Sequence, residues 1–552
     1  MRVDCIIEHA RILTQDEERP ASDRLAVLHG RVVALGDDCA GLVAARTVDA
    51  GGAVVVPGFN DAHAHSVWFG HTLLETDLSA CAGLDELYER IARAAERGRS
   101  EPEADPDAWI VASGYNQMDT GGVYPDAAAL DRAAGGRPVW IKHTSGHSCI
   151  VSGRGMALLG IDGTERFDGG LVVLDDAGRP TGLLEESAME LVQSRLLPAS
   201  QDRIVAALAA AGAVYAAEGL TSVTDAGIGG GWIGHSAQEF AAYQTALERG
   251  LLRTRMQPML VGDVLRDVPL GAETFRGLPG GLRSGLGDER LQLGPVKMFL
   301  DGSILGNTAR MSEGYCNHPG NHGYFQGDVE EMRGRALAAA RAGWALAMHA
   351  VGDEAVGLAI GILRELEAEG VRPPLPHRIE HGGVVTDAQL AELARLGVPI
   401  VAQPYFLRAY GDGFRGYIGD ARAAASFRLA SLVRAGLPVA GSSDRPVAPG
   451  RPLAVMQAAV ERLTDSGWVY GADERLTAAE ALRAYTVGSA EATGWGGRKG
   501  RLAPGYLADL AVLSDDPTRV DPGRIGRIEV LATAVGGAPT HDAAGLFGEA
   551  AA

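Results

Sequence analysis

Eight short apolar runs, each closing on a polar residue, constrain this 552-residue chain more than any other feature. They are Ala53–Pro57 running on to His63 and His65, Ser222–Asp225, Arg255–Leu260, Val296–Asp301, Leu346–His349, Arg378–His381, Ile400–Gln403 and Val439–Asp444. A short apolar run without polar alternation reads as a strand buried on both faces, the condition of a parallel sheet. Segments of helical spacing separate several of them, among them Val329–Ala342, Asp387–Leu396 and Phe427–Ala435. This alternation fits an α/β chain built on a (β/α)8 TIM barrel of roughly 250 residues. An open doubly wound sheet is the competing arrangement, but no glycine-rich phosphate loop follows the first strand.

The remainder of the chain divides around that barrel. At the N-terminus, Cys5–Leu13, Arg24–Leu28, Val32–Leu35 and Ala45–Val48 are β-prone and punctuated by Gly30, Gly36 and Gly51. A matching signal near the C-terminus covers Ala508–Leu513 and Val530–Val535, bounded by Gly505, Asp515 and Gly536. Neither end is long enough to bury a core alone, so the two are expected to pair into one β-sandwich domain. The connection from His65 to Thr221 far exceeds a βα loop and must hold an inserted subdomain. It carries helical patterns at Leu84–Arg97 and Ile204–Glu218 and short strands at Trp109–Ser113, Val139–His143 and Gly170–Leu174. The expected organisation is therefore 1–57 and 496–552 as the two parts of the sandwich, 58–70 and 201–495 as the barrel, and 71–200 as an insertion covering the active site.

Composition narrows the function classes. Seventy acidic against 50 basic side chains give a formal charge of −20 and a pI near 5.2, a surface that repels phosphate polymers and anionic lipids. Nucleic acid and membrane are not expected partners. Five scattered cysteines, an odd count with no CxxC pair, indicate neither a disulfide framework nor a thiolate zinc cluster. The first residues lack the basic-then-apolar pattern of a signal peptide, and no apolar stretch reaches the roughly 18 residues that span a bilayer. A cytoplasmic location is expected.

Chemistry in such a barrel sits at the C-terminal ends of the strands. Here those ends carry His63, His65, Lys297, His349, His381 and Asp444. His63 and His65 lie two residues apart on a strand, so both imidazoles project to one side and can chelate one ion. Two further imidazoles and a carboxylate at later strand ends supply the nitrogen and oxygen donors that zinc prefers. Lys297 lies in an apolar run where an ammonium is costly to bury. Either it pairs with Asp301, or it is carboxylated by CO2 into an anionic ligand. Asp444, before Arg445 and Pro446, is either a helix N-cap or a group of the site.

The motifs PGFNDAHAH, VKMFLDGS followed by TARM, HAVGDEA, HRIEHGG, GSSDRPV and GRLAPGYLADLAVL resemble the amidohydrolase superfamily. The nearer likeness is to its branch of YtcJ-like metal-dependent hydrolases, which includes N-substituted formamide deformylases. The resemblance runs from the N-terminal β unit to about Val535. It implies a zinc site of one or two ions, other divalent metals being alternatives, and homodimerisation is a family-level expectation. Carried over by position, His63 and His65 would bind one metal, His349 and His381 the other, with carboxylated Lys297 as the bridge. Asp444 would be both ligand and proton shuttle.

The activity so implied is hydrolysis of a C–N, amide-type bond in a small molecule, other than a peptide bond, by a metal-activated hydroxide. Deamination of an amino-substituted heterocycle is the alternative; it normally uses a glutamate three residues after the third histidine, where this chain has Gly352. A non-catalytic regulatory protein on the same scaffold is a third reading, weakened by the presence of every ligand type. For substrate contacts the sequence offers His147, in a segment where serine replaces the aspartate of an Asp-Gly-His pattern. It also offers Gln117, from a segment resembling Trp-Asp-Gln with its first two residues changed. Gln403, Tyr405, Arg310 and the aromatic stretch Tyr410 to Tyr417 are further candidates for the pocket wall.

Overall fold

The computed structural model describes residues 1–79, 81–99, 108–143, 148–166, 170–230 and 233–548. They form two compact units, one comprising Met1–Ser66 with Ala211–Ala552 and the other Val67–Ala210.

In the first unit eight strands follow one another in parallel: β1 (Phe59–Ala64), β2 (Leu220–Ile228), β3 (Arg255–Val261), β4 (Val296–Phe299), β5 (Leu346–Ala350), β6 (Arg378–His381), β7 (Ile400–Ala402) and β8 (Val439–Gly441). Every residue of β2 and β3 is buried, which is why these segments lack polar alternation. The ring is joined beyond its last ladder by two backbone hydrogen bonds. Asp444 donates to the His63 carbonyl at 2.7 Å and His65 to that of Arg445 at 2.8 Å. This is the TIM barrel expected from the sequence. Local chemistry ends the surrounding helices where the pattern does. Asp387–Leu396 starts at a capping box of Thr386 and Gln389 and stops at Gly397, whose φ of 65° suits glycine.

The same unit holds the sandwich. A four-stranded sheet runs in the order Arg31–Leu35, Leu25–Leu28, Arg2–Glu8, Val43–Asp49. The second, six-stranded sheet combines both chain ends, with Val54–Pro57 antiparallel to Leu510–Leu513 at its centre. Ile7, Leu25 and Val32 from the first sheet meet Val55, Leu510 and Val512 from the second in one core. The run from Ala53 to His65 is thus two strands rather than one. The chain leaves the sandwich at Gly58, where an added Cβ would stand 2.2 Å from Thr221 Cγ2.

The second unit is the insertion after β1. Its six-stranded mixed sheet has the order Gly170–Leu174, Pro180–Glu186, Ser148–Val151, Val139–His143, Ile110–Tyr115, Thr76–Asp77. Leu87 and Ile91 of helix Leu84–Arg99 pack on one core with Ile110, Ile141 and Ile150. Val111, Trp140 and Leu184 pack into a second core with Val192. Three of these strands are legible as sequence runs; Ser148–Val151, Pro180–Glu186 and Thr76–Asp77 are not. All five cysteines are free thiols, and no helix among the described residues is long and apolar enough to cross a membrane.

Candidate metal centre

β1, β4, β5, β6 and the segment after β8 bring His63, His65, Lys297, His349, His381 and Asp444 into one cluster. Ligand atoms of His63, His65 and Asp444 all lie within 4.8 Å of one another. Asp444 Oδ1 is 3.1 Å from His65 Nε2 and 3.4 Å from His63 Nε2. Lys297 Nζ stands 3.5 Å from His63 Nε2. The His381 ring centroid is 4.4 Å from that of His349 and 5.0 Å from that of His63. Parallel register explains the convergence: His349 opposes Phe299 two residues beyond Lys297, and His381 opposes Ala350.

Three of the imidazoles, those of His63, His381 and His349, have one nitrogen committed to the protein. Nδ1 of His63 meets Glu380 Oε2, and Nδ1 of His381 meets Gln403 Oε1 at 2.7 Å. His349 instead places Nε2 3.0 Å from the Gly302 carbonyl. The opposite nitrogen of His63, Nε2, faces Asp444 and Lys297. Asp444 Oδ1 is buried and accepts no hydrogen bond despite its two imidazole neighbours. A buried acceptor without a donor is costly unless a cation satisfies it. With the nitrogen and carboxylate donor set, this fits a divalent metal.

Electrostatics favours the ligand forms of His349, His381 and Asp444 and opposes that of His63. Burial, with Lys297 nearby, drops His349 to about 3, and burial, with His349 and His63 nearby, holds His381 far below the ordinary imidazole value, so both rings are neutral and carry a lone pair. Burial and Lys297 also push His63 down, but Asp444 and Glu380 outweigh them and leave it raised. Burial opposes ionisation of Asp444, yet His63 and His65 keep it an anion. Burial lowers Lys297 to about 8.

Two structural roles offered by the sequence are absent from the geometry. Lys297 makes no ion pair with Asp301, whose oxygens accept the backbone N–H groups of Val351 at 3.0 Å, Gly352 at 2.8 Å and Arg310 at 3.0 Å. Nor does Asp444 cap a helix: the next one, Pro452–Glu461, begins after Arg451. Asp444 and His381 both occupy the left-handed region, with φ of 56° and 73°, a conformation uncommon for non-glycine residues, though Asp and His are enriched in it.

The substrate candidates are placed less uniformly. His147 lies outside the described residues. Gln117, in the second unit, bonds His143 Nε2 at 2.5 Å. Gln403 does not present its amide to a pocket: besides His381 it serves the Val401 carbonyl at 3.1 Å and Ser442 Oγ at 2.9 Å. Arg310 is ion-paired with Glu354 at 2.5 Å, and Tyr405 is half-buried in the first turn of helix Tyr405–Ala424. The stretch Tyr410 to Tyr417 belongs to that helix rather than to a loop.

Sequence reasoning missed the residues that hold the ligands. Glu380 and Arg378 are fully buried, and Asp61 accepts the Ser443 N–H at 3.0 Å and its hydroxyl at 2.5 Å, tethering the segment that carries Asp444. Their signal was a charge every second residue inside an otherwise apolar strand.

A TIM barrel with candidate metal-ligand side chains gathered at its C-terminal end is a scaffold for metal-dependent chemistry. Residues 46–541 match the model of the Amidohydrolase family, and the chain belongs to that family. It is 31% identical to the putative amidohydrolase YtcJ of Bacillus subtilis (strain 168), over 88% of each chain. It is 28% identical to the N-substituted formamide deformylase of Arthrobacter pascens, over 98% of this chain and 99% of that one. An uncharacterized metal-dependent hydrolase from Pyrococcus horikoshii OT3 shares the fold at a TM-score of 0.75 and 25% identity, covering 94% of this chain and 99% of that one.

Proposed function

We propose that the protein hydrolyses the C–N bond of a non-peptide amide in a small molecule, with zinc as its ion. The observation that carries this reading is Asp444 Oδ1, buried and without a hydrogen bond between two imidazole Nε2 atoms. A bound divalent cation supplies Lewis acidity to the amide carbonyl and brings the pKa of its water towards about 7. His63, His65 and Asp444 would hold one position, and His349 with His381 a second. Lys297, eased towards its neutral amine by burial, can form an Nζ–C bond with CO2, lose a proton and become an anionic bridging ligand. Asp444 accepts the proton of the attacking water and returns it to the amine nitrogen as the C–N bond breaks, leaving a carboxylic acid and an amine.

The N-substituted formamide deformylase relative supports an amide with a substituted nitrogen. Deamination is disfavoured because its glutamate has no room: a Cβ at Gly352 would stand 2.0 Å from the Arg310 carbonyl oxygen. Elemental analysis of the purified protein, followed by a panel of N-formyl, N-acyl and cyclic amides, tests the proposal. We expect bound zinc, turnover of at least one amide, and loss of both metal and turnover in Lys297→Ala. A wild-type chain with no divalent metal and no turnover across the panel overturns it.

A further inference from the structure

We propose that Glu380 and Arg378 are positioning residues for the metal centre, locking the His63 imidazole so that its Nε2 lone pair faces the ion; this rests on the metal-dependent reading above. The argument is one of hydrogen-bond direction. Arginine has donors only, so the oxygen it meets must accept. Arg378 Nε donates to Glu380 Oε1 at 2.6 Å, and its Nη2 donates to the Ala62 carbonyl at 2.9 Å. One guanidinium thus grips both the carboxylate and the backbone immediately before His63.

Held this way, Glu380 turns its other oxygen, Oε2, to His63 Nδ1. A carboxylate can only accept, so Nδ1 carries the hydrogen, and the ring on giving up its other proton to bind an ion exposes its lone pair at Nε2. That Nε2 is the atom lying 3.4 Å from Asp444 Oδ1 and 3.5 Å from Lys297 Nζ. The opposite tautomer would aim an N–H at the cation. Arg378, Glu380 and His63 are 0%, 0% and 1% exposed, so water cannot substitute for any link. A buried ion pair is weak as a stabilising device, since apolar replacements of similar volume often do as well. Its persistence beside a ligand is explained by orientation, because partners of a ligating histidine fix its tautomer and raise its basicity.

The experiment is zinc binding to the full-length, metal-free protein, measured by competition with a chromophoric chelator. It is run on wild type, Glu380→Ala, Glu380→Gln, His63→Ala and the Glu380→Ala/His63→Ala pair, with urea unfolding of each. Glu380→Ala is expected to weaken zinc about 10–100-fold. Glu380→Gln, which preserves volume but can offer either an oxygen or an NH2 to Nδ1, is expected to weaken it in the same direction. In the His63→Ala background Glu380→Ala should cost nothing further, because the ring it orients is gone. Unchanged zinc affinity in Glu380→Ala, within about twofold, overturns the assignment, as does an equal loss with and without His63. If Glu380→Ala does not fold, Glu380→Gln decides by the same criteria. A wild-type chain that binds no zinc overturns this inference together with the proposed function, whereas a zinc-binding wild type with an indifferent Glu380→Gln overturns this inference alone.

Discussion

The two ends of the barrel each bury a cluster of charges, and they treat them differently. At the N-terminal end Asp509 receives Arg255 Nε at 2.8 Å and Nη2 at 2.9 Å, Lys499 Nζ at 2.9 Å and the Gly536 N–H at 2.8 Å. Lys499 also donates to Thr221 Oγ1 at 2.5 Å. Burial pushes Asp509 up, but Lys499 and Arg255 hold it well below the usual carboxylate range. At the C-terminal end Asp444 Oδ1 accepts no hydrogen bond, and Lys297 has no carboxylate within ion-pairing distance among the described residues. Neutralised charge joins sandwich to barrel, whereas the Asp444 carboxylate faces imidazoles that can themselves ligate an ion. One end is expected to govern stability and the other chemistry.

Asp444→Asn should have the largest effect. Asparagine tolerates the left-handed φ of 56° and keeps the side-chain volume but cannot shuttle a proton. Amide turnover is expected to fall about 10²–10⁴-fold, while the urea midpoint of the metal-free protein holds. Chelation of the metal should likewise remove activity and leave the fold. An Asp444→Asn chain that loses stability in step with activity would break the comparison.

Asp509→Ala is the reciprocal test. It strands Arg255 and Lys499, both nearly fully buried, and should cost about 3–5 kcal/mol of stability by urea unfolding. Zinc bound per folded chain should not change. If that metal content fell, the two clusters would be coupled rather than separate.

A smaller effect separates an ordinary half-buried histidine from the ligands. His377 Nδ1 accepts the Leu346 N–H at 3.0 Å at the start of β5, which requires a neutral ring, and burial lowers it to about 4. The unfolded chain binds this proton near pH 6.5, so the contribution is full above that pH. It is lost as pH falls from 6.5 towards 4. Between pH 7 and 5 the wild type should lose about 2 kcal/mol more than His377→Gln, compared by urea unfolding at both values. An identical pH slope in the two proteins would assign the acid sensitivity to the metal ligands alone.

The barrel was legible because strands buried on both faces must be apolar throughout, and its site because ligands interrupt those runs at their ends. Helix Tyr405–Ala424 was not, since Gly411, Gly413, Gly416 and Gly419 break its pattern, the last with a non-helical φ of 79°. Glu380 and Arg378 show a different limit. A charge inside a buried strand has meaning only with its partner, and the partners of this pair lie over 300 residues away on β1, at His63 and Ala62. The role of Gln403 was misread for the same reason: a polar residue at a strand end looks available to substrate until the ring it serves, His381, is seen beside it.

The smallest effect tests how far orientation extends outward from the ion. Gln403 presents its oxygen to His381 while its Nε2 is held by Ser442 Oγ at 2.9 Å and the Val401 carbonyl at 3.1 Å. Gln403→Leu removes the partner of a ligand and should weaken zinc about tenfold. Ser442→Ala removes only one of two anchors on that partner, along with the hydroxyl's own 2.9 Å bond to the Ala402 carbonyl. Since Val401 still restrains the amide, the expected cost is about 1 kcal/mol in stability and a zinc affinity reduced less than in Gln403→Leu. Chelator competition on the two variants ranks them directly. Were Ser442→Ala to weaken zinc as much as Gln403→Leu does, the amide would be oriented by Ser442 rather than by Val401, and the C-terminal cluster would reach one shell further into the barrel wall than the hydrogen bonds around His381 imply.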